Sequence, residues 1–158
     1  MTQADHALLA AQAGAHPALA AASPATRPLT LTIPRRAEEV RRARRWFRSC
    51  LRDWHGDTAA AAESVFAEVA ANAVRHGTGQ ITITVWLSPC TVRCDVRDSS
   101  WRRPRRMSPQ DPELEDGRGL VIVSAMAHAW GVRRHLLGKT VWFEVRAPAR
   151  HERNLPAQ

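Results

Sequence analysis

The stretch Ser64–Gly77, SVFAEVAANAVRHG, decides how the rest of this chain is read. Val65, Phe66, Val69, Ala73 and Val74 recur at helical spacing, and Gly77 stands where a glycine commonly ends a helix. Glu68, Asn72 and His76 follow one another at intervals of four. Each interval is about 400° of helical rotation, so the three side chains share one face and drift by only about 40° per step. Asn is a weak helix former, and a plain solvated face is better served by Glu, Lys or Arg. The row therefore has two readings. It is a solvated polar stripe, or it is a carboxylate, an amide and an imidazole turned toward a ligand.

Moving toward the N-terminus, Asp57 or Thr58 supplies a cap for this helix, which is expected over about 59–76. A second helix is expected over 37–54, with Val40, Ala43, Phe47, Leu51 and Trp54 as its apolar stripe. Arg41, Arg42, Arg44, Arg45, Arg48 and Arg52 fill its other faces, either as a solvated basic surface or as a grip for phosphate. Leu29-Thr30-Leu31-Thr32-Ile33 alternates like a strand, and Pro34 marks an edge or an end. Residues 1–27 are Ala-rich with scattered Pro and read as a tail. They lack a basic start, and Asp5, His6, His16 and Pro17 interrupt their apolar part, which argues against a secretory signal.

Toward the C-terminus, Gly77-Thr78-Gly79 turns the chain. Ile81, Ile83, Val85 and Leu87 alternate with Thr82, Thr84, Trp86 and Ser88; after a turn, Val92, Cys94, Val96 and Asp98 alternate with Arg93, Asp95 and Arg97. The two runs predict a hairpin. Residues 99–116 carry no periodicity and are too long for an ordinary turn. Gly117-Arg118-Gly119-Leu120 is expected to open a helix to about Ala129, followed by strands at 130–136 and 140–145. Residues 148–158 read as a flexible tail. The order of elements predicts an α/β fold: a two-layer sandwich with helices on one face of a mixed, mostly antiparallel sheet.

The totals narrow the function classes. A chain of 158 residues with 44% hydrophobic content suits one domain with a real core. No apolar run approaches 18 residues, so no membrane span is expected. Cys50, Cys90 and Cys94 cannot all pair, which suits a reducing cytoplasm, and their spacing gives no zinc site. The net charge of +8 permits an acidic partner, but no RNP-like or helix-turn-helix pattern accompanies it, so nucleic acid is the least supported partner. Gly138-Lys139-Thr140 is not the end of a P-loop, because position 133 is Arg and a strand follows. Gly117-Arg118-Gly119 before a helix can cradle an anion. Asp98 closes an apolar strand, either as a turn residue or as a buried acceptor.

Together these pieces resemble the GHKL superfamily, the Bergerat-fold histidine-kinase-like ATPases, and within it the anti-sigma-factor serine/threonine kinase branch. Glu68–Gly77 (EVAANAVRHG) resembles the family's N-box, Asp98 the acid of its adenine box, Gly117-Arg118-Gly119-Leu120 its second glycine box, and Gly138-Lys139-Thr140-Val141-Trp142-Phe143 its terminal strand. The resemblance covers roughly 29–146 and implies an ATP-binding domain over 28–147 with its lid at about 99–116. It implies ATP and Mg²⁺ as cofactors. Asn72 would ligate Mg²⁺, and Glu68 would be the catalytic base. His76, Asp98, Ser100, Gly117, Arg118, Gly119, Leu120 and Thr140 would join Asn72 in holding the nucleotide. Where the family often has glycine two residues after the aspartate, this chain has Ser100.

The activity implied is phosphorylation of an anti-anti-sigma protein of the STAS type by a cytoplasmic kinase. That kinase also binds a sigma factor and regulates transcription by switching between the two partners. Homodimerisation is left open. The alternative implied is a nucleotide-dependent protein-binding module with little or no kinase activity.

Overall fold

The computed structural model of the chain describes residues 27–54, 56–100 and 114–147. All but the last residue of the expected tail at 1–27, the expected tail at 148–158, and most of the expected lid at about 99–116 lie outside the described residues. Five strands and three helices are present: β1 (Leu29–Ile33), α1 (Ala37–Cys50), α2 (Gly56–His76), β2 (Ile81–Ser88), β3 (Thr91–Asp98), α3 (Leu114–Met126), β4 (Ala129–His135) and β5 (Gly138–Arg146). The strands form one sheet in the order β1-β2-β3-β5-β4. All four pairings are antiparallel, so the sheet is not mixed as expected. No helix among the described residues is long and apolar enough to cross a membrane.

The two layers follow from the sequence periods. On β2 and β3, Ile81, Ile83, Val85, Val92, Cys94 and Val96 are fully buried, and they alternate with residues that face away from the helices. The central helix α2 lies over β3 and β5, flanked by α1 on the β1 side and α3 on the β4 side. Its face of Ala62, Val65, Phe66, Val69, Ala70 and Ala73 closes the core. Phe47 of α1 stacks on Phe66 of α2 with ring centroids 4.1 Å apart, and it meets Phe143 of β5 at 6.3 Å. This aromatic trio locks both helices to the sheet.

Several boundaries differ from the sequence expectation. α1 stops at Cys50, where the Leu51 N–H donates to the Arg48 carbonyl and the Trp54 N–H to the Leu51 carbonyl in tight turns. Trp54 still packs against the core. α3 begins at Leu114, three residues before Gly117, and ends at Met126.

The glycine at the end of α2 also has a different cause from the one expected. Its N–H donates to the Ala73 carbonyl, but the positive-φ glycines are Gly56, Gly79 and Gly138, so Gly77 is not a left-handed cap. A Cβ there would strike the Ala73 carbonyl oxygen and lie 3.1 Å from Asp98 Cβ and Cγ. Gly77 is small because the end of α2 rests on the end of β3.

Candidate functional site

Two clusters of polar side chains meet along the inner surface of α2. The first is at the crossing of α2 and α3. Glu68 and Asn72 are both half-buried, one turn apart on α2. Gly119 of α3 is buried against them: a Cβ on it would lie 2.7 Å from Glu68 Oε2 and 3.4 Å from Asn72 Nδ2. Gly119 therefore packs directly against the ends of the carboxylate and the amide, and a side chain at position 119 would displace them. At this contact Glu68 presents an oxygen and Asn72 its amide nitrogen; the carboxylate and the amide oxygen of the two side chains are the hard donors that suit Mg²⁺. Among the described residues no group of three or more His, Cys, Asp or Glu gathers to cage a metal. An ion here would take most of its ligands from phosphate and water, as Mg²⁺ does.

The second cluster is at the strand ends. Asp98 closes β3 with only 1% of its surface exposed. Its Oδ1 accepts a 2.7 Å hydrogen bond from the Ser100 N–H, an Asx-type turn that also buries Ser100. β5 starts beside it at Gly138, whose φ of +135° and close approach to the Asp98 carbonyl oxygen admit no side chain. The next residue, Lys139, is in register with Asp98. Its Nζ lies 3.3 Å from Oδ1, as a donor, and 3.2 Å from Oδ2. Lys139 is the chain's one lysine and is 6% exposed. Gly77, against which Asp98 packs, comes five residues after Asn72, about 7–8 Å of axial rise along α2.

The other sequence candidates are placed as follows. His76 is exposed at the last position of α2. Gly117, Arg118, Gly119 and Leu120 lie inside α3 rather than at its start. The N–H groups at the start of this helix therefore precede Gly117, so Gly117–Leu120 does not stand at the helix start as expected. Thr140 faces the other side of the sheet, with its Oγ1 2.7 Å from His135 Nε2. The reason is strand parity: Val141, Phe143 and Val145 face the helices, so Lys139 does too and Thr140 cannot. Lys139 is a candidate site residue that the sequence reading missed: strand parity turns it inward, but only the pairing of β5 with β3 puts it beside Asp98.

The outer face of the sheet carries a separate charged cluster. Arg93 donates to Glu144 Oε1 at 2.8 Å and lies 3.2 Å from Asp95 Oδ1. Arg133 donates to Asp95 Oδ2 at 2.6 Å. The Arg93 guanidinium sits 4.6 Å above the Trp142 ring. Cys94, between Arg93 and Asp95 but facing inward, is fully buried. Burial, with the nearby Asp95 carboxylate adding to it, pushes its thiol well above the usual range.

Comparison with known proteins bears on the family and the fold. No curated protein matches the chain. Among solved structures, the crystal structure of the RsbU and RsbW domains of Rv1364c from Mycobacterium tuberculosis superposes with a TM-score of 0.56 at 22% identity. The match covers 79% of this chain but 34% of that one, so the present chain spans about a third of its neighbour's length. At that identity the likeness establishes the fold, a two-layer α/β sandwich. The profile of the histidine kinase-like ATPase domain matches residues 33–145, which includes every element from α1 to β5 and both polar clusters. The chain belongs to the histidine kinase-like ATPase domain family, the GHKL group that its motifs resemble.

Proposed function

We propose that this protein binds Mg·ATP between α2, α3 and the ends of β3 and β5, and transfers the γ-phosphoryl group to a serine or threonine of a STAS-type anti-anti-sigma protein. The observation that carries this reading is the pairing of Glu68 and Asn72, one turn apart and half-buried on α2, with Gly119 of α3 packed against both. When bound, Mg²⁺ would neutralise charge on the phosphates. Asn72 would hold it through its side-chain oxygen. Glu68, one turn away, would accept the proton of the attacking hydroxyl as its oxygen bonds to the γ-phosphorus and ADP departs. Asp98 and Lys139 would receive the base, with Lys139 taking the place that the sequence suggested for Thr140. In this reading the kinase also holds a sigma factor, and phosphorylation of one partner governs release of the other.

A second reading, a nucleotide-dependent binding module with little or no kinase activity, is favoured by two observations. The buried carboxylate of Asp98 is already paired with Lys139, and Ser100 stands where the family often has glycine. One experiment separates the two. Radiolabelled γ-phosphate is offered to the wild type and to Glu68→Gln with a STAS-type partner, and Mg·ATP binding is measured alongside. The kinase reading expects labelling by the wild type alone, with binding by both. Equal labelling by both proteins would refute the role of Glu68. Binding without labelling by either would favour the module.

A further inference from the structure

The Asp98–Lys139 pair has hydrogen-bonding capacity that the described residues do not use. A carboxylate only accepts, and an ammonium only donates, with three N–H groups. Asp98 Oδ1 takes the Ser100 N–H and one lysine N–H. Asp98 Oδ2 is buried and accepts no hydrogen bond among the described residues, although Lys139 Nζ is 3.2 Å away. Lys139 has Asp98 as its carboxylate partner, which leaves donors on Nζ unspent. The pair therefore places an unused acceptor and a donor side by side, both buried, at the end of the sheet.

A purine presents the complementary couple at positions 6 and 1. A 6-aminopurine shows a donor at N6 and an acceptor at N1; a 6-oxopurine shows an acceptor at O6 and a donor at N1. A lone buried carboxylate accepts the first and repels O6 of the second. With an ammonium beside it, both orders are matched. Adenine would give N6–H to Oδ2 and take an N–H from Nζ at N1. Guanine or hypoxanthine would give N1–H to Oδ2 and take an N–H from Nζ at O6. The exchange asks the base to shift by one ring position and the ammonium to swing from one side of Oδ2 to the other, which the flexible four-carbon stem of Lys allows and the planar fork of Arg does not.

We infer that the site accepts 6-oxopurine nucleoside triphosphates as well as ATP, and that Lys139 sets this tolerance. The inference rests on the nucleotide-site reading proposed above.

The test is calorimetric titration of the full chain with Mg·ATP, Mg·GTP and Mg·ITP, in the wild type and in Lys139→Met. In the wild type, GTP and ITP are expected to bind within about tenfold of ATP, because every buried polar group finds a partner in each case. In Lys139→Met the ratio of GTP to ATP affinity is expected to fall by about tenfold or more. ATP binding with GTP and ITP rejected by about a hundredfold or more in the wild type would overturn this inference and leave the nucleotide site standing. An unchanged ratio in Lys139→Met would overturn the role of Lys139. Failure of the wild type to bind any of the three would overturn both the inference and the site. If Lys139→Met does not fold, the wild-type comparison decides alone.

Discussion

Two buried ion clusters share strands β3 and β5 on opposite faces, and they are built differently. On the outer face, three guanidiniums surround two carboxylates. Asp95 is reached by Arg93 and Arg133, and Glu144 by Arg93 and, more loosely at 3.7 Å, by Arg146. On the inner face, one ammonium meets one carboxylate, Lys139 and Asp98. The outer cluster is redundant: deleting one cation leaves each acid another. The inner pair has no such reserve among the described residues, and its Oδ2 accepts no hydrogen bond there. One face of the sheet is clamped by several charges, while the other depends on a single pair.

The largest effect should come from breaking the inner pair. Lys139→Met leaves a carboxylate that is 1% exposed with no counter-charge among the described residues. Urea unfolding should show a loss of about 3–5 kcal/mol, the range for a buried pair stripped of one partner. The double variant Asp98→Asn/Lys139→Met should recover most of that loss. If the single variant matches the wild type in stability, the two faces do not differ as described.

Breaking the outer cluster should cost less. Arg93→Met removes one hydrogen bond to Glu144 and the contact over Trp142, but Asp95 keeps Arg133. The expected loss is about 2 kcal/mol by the same measurement. A loss larger than that of Lys139→Met would reverse the comparison.

Gly119→Ala should separate stability from function. Replacing a helical glycine contributes up to about 1 kcal/mol of stability. The new Cβ meets the flexible end of Glu68, which can swing aside. Thermal unfolding should shift upward slightly or not at all, while phosphate transfer falls because the Glu68 carboxylate is displaced. Full transfer activity in this variant would contradict the pairing of Glu68 and Asn72 as the working site.

The smallest effect is a contrast in thiol chemistry along the inner and outer surfaces. The thiolate is the reactive form. Cys90 is exposed, Cys50 is half-buried with its thiol raised by burial, and Cys94 is buried with its thiol raised further. Timed alkylation at mildly alkaline pH, read by mass spectrometry, should label Cys90 first and Cys50 more slowly. Cys94 should be labelled only at the rate of unfolding, and early labelling there would mean that the inner face of β3 opens readily.

Much of the fold was legible because each element carried a single clear period. Ile81, Ile83 and Val85 wrote the strand parity, and Val65, Phe66, Val69 and Ala73 wrote the helix face. The spacing of Glu68 and Asn72 placed both on one side of α2, and their burial against Gly119 agrees with a face turned inward. What was not legible depends on approach between distant segments. Gly77 looked like a backbone-conformation residue, yet its role is clearance for Asp98, twenty-one residues later in the chain. Lys139 looked like part of a turn, because nothing local reveals that β5 lies in register with β3. The start of α3 at Leu114 was hidden because acidic residues before Gly117 read equally well as loop.

The central claim is that α2 presents a metal-nucleotide face, and isothermal titration tests it most directly. Mg·ATP, and ATP with Mg²⁺ chelated, are titrated into the wild type and Asn72→Ala. The account predicts Mg²⁺-dependent binding by the wild type, and a loss of about tenfold or more in Asn72→Ala, which removes the proposed ligand oxygen while leaving Glu68 and the strand-end pair in place. Binding by the wild type that ignores Mg²⁺, or equal affinity in the two proteins, would contradict it.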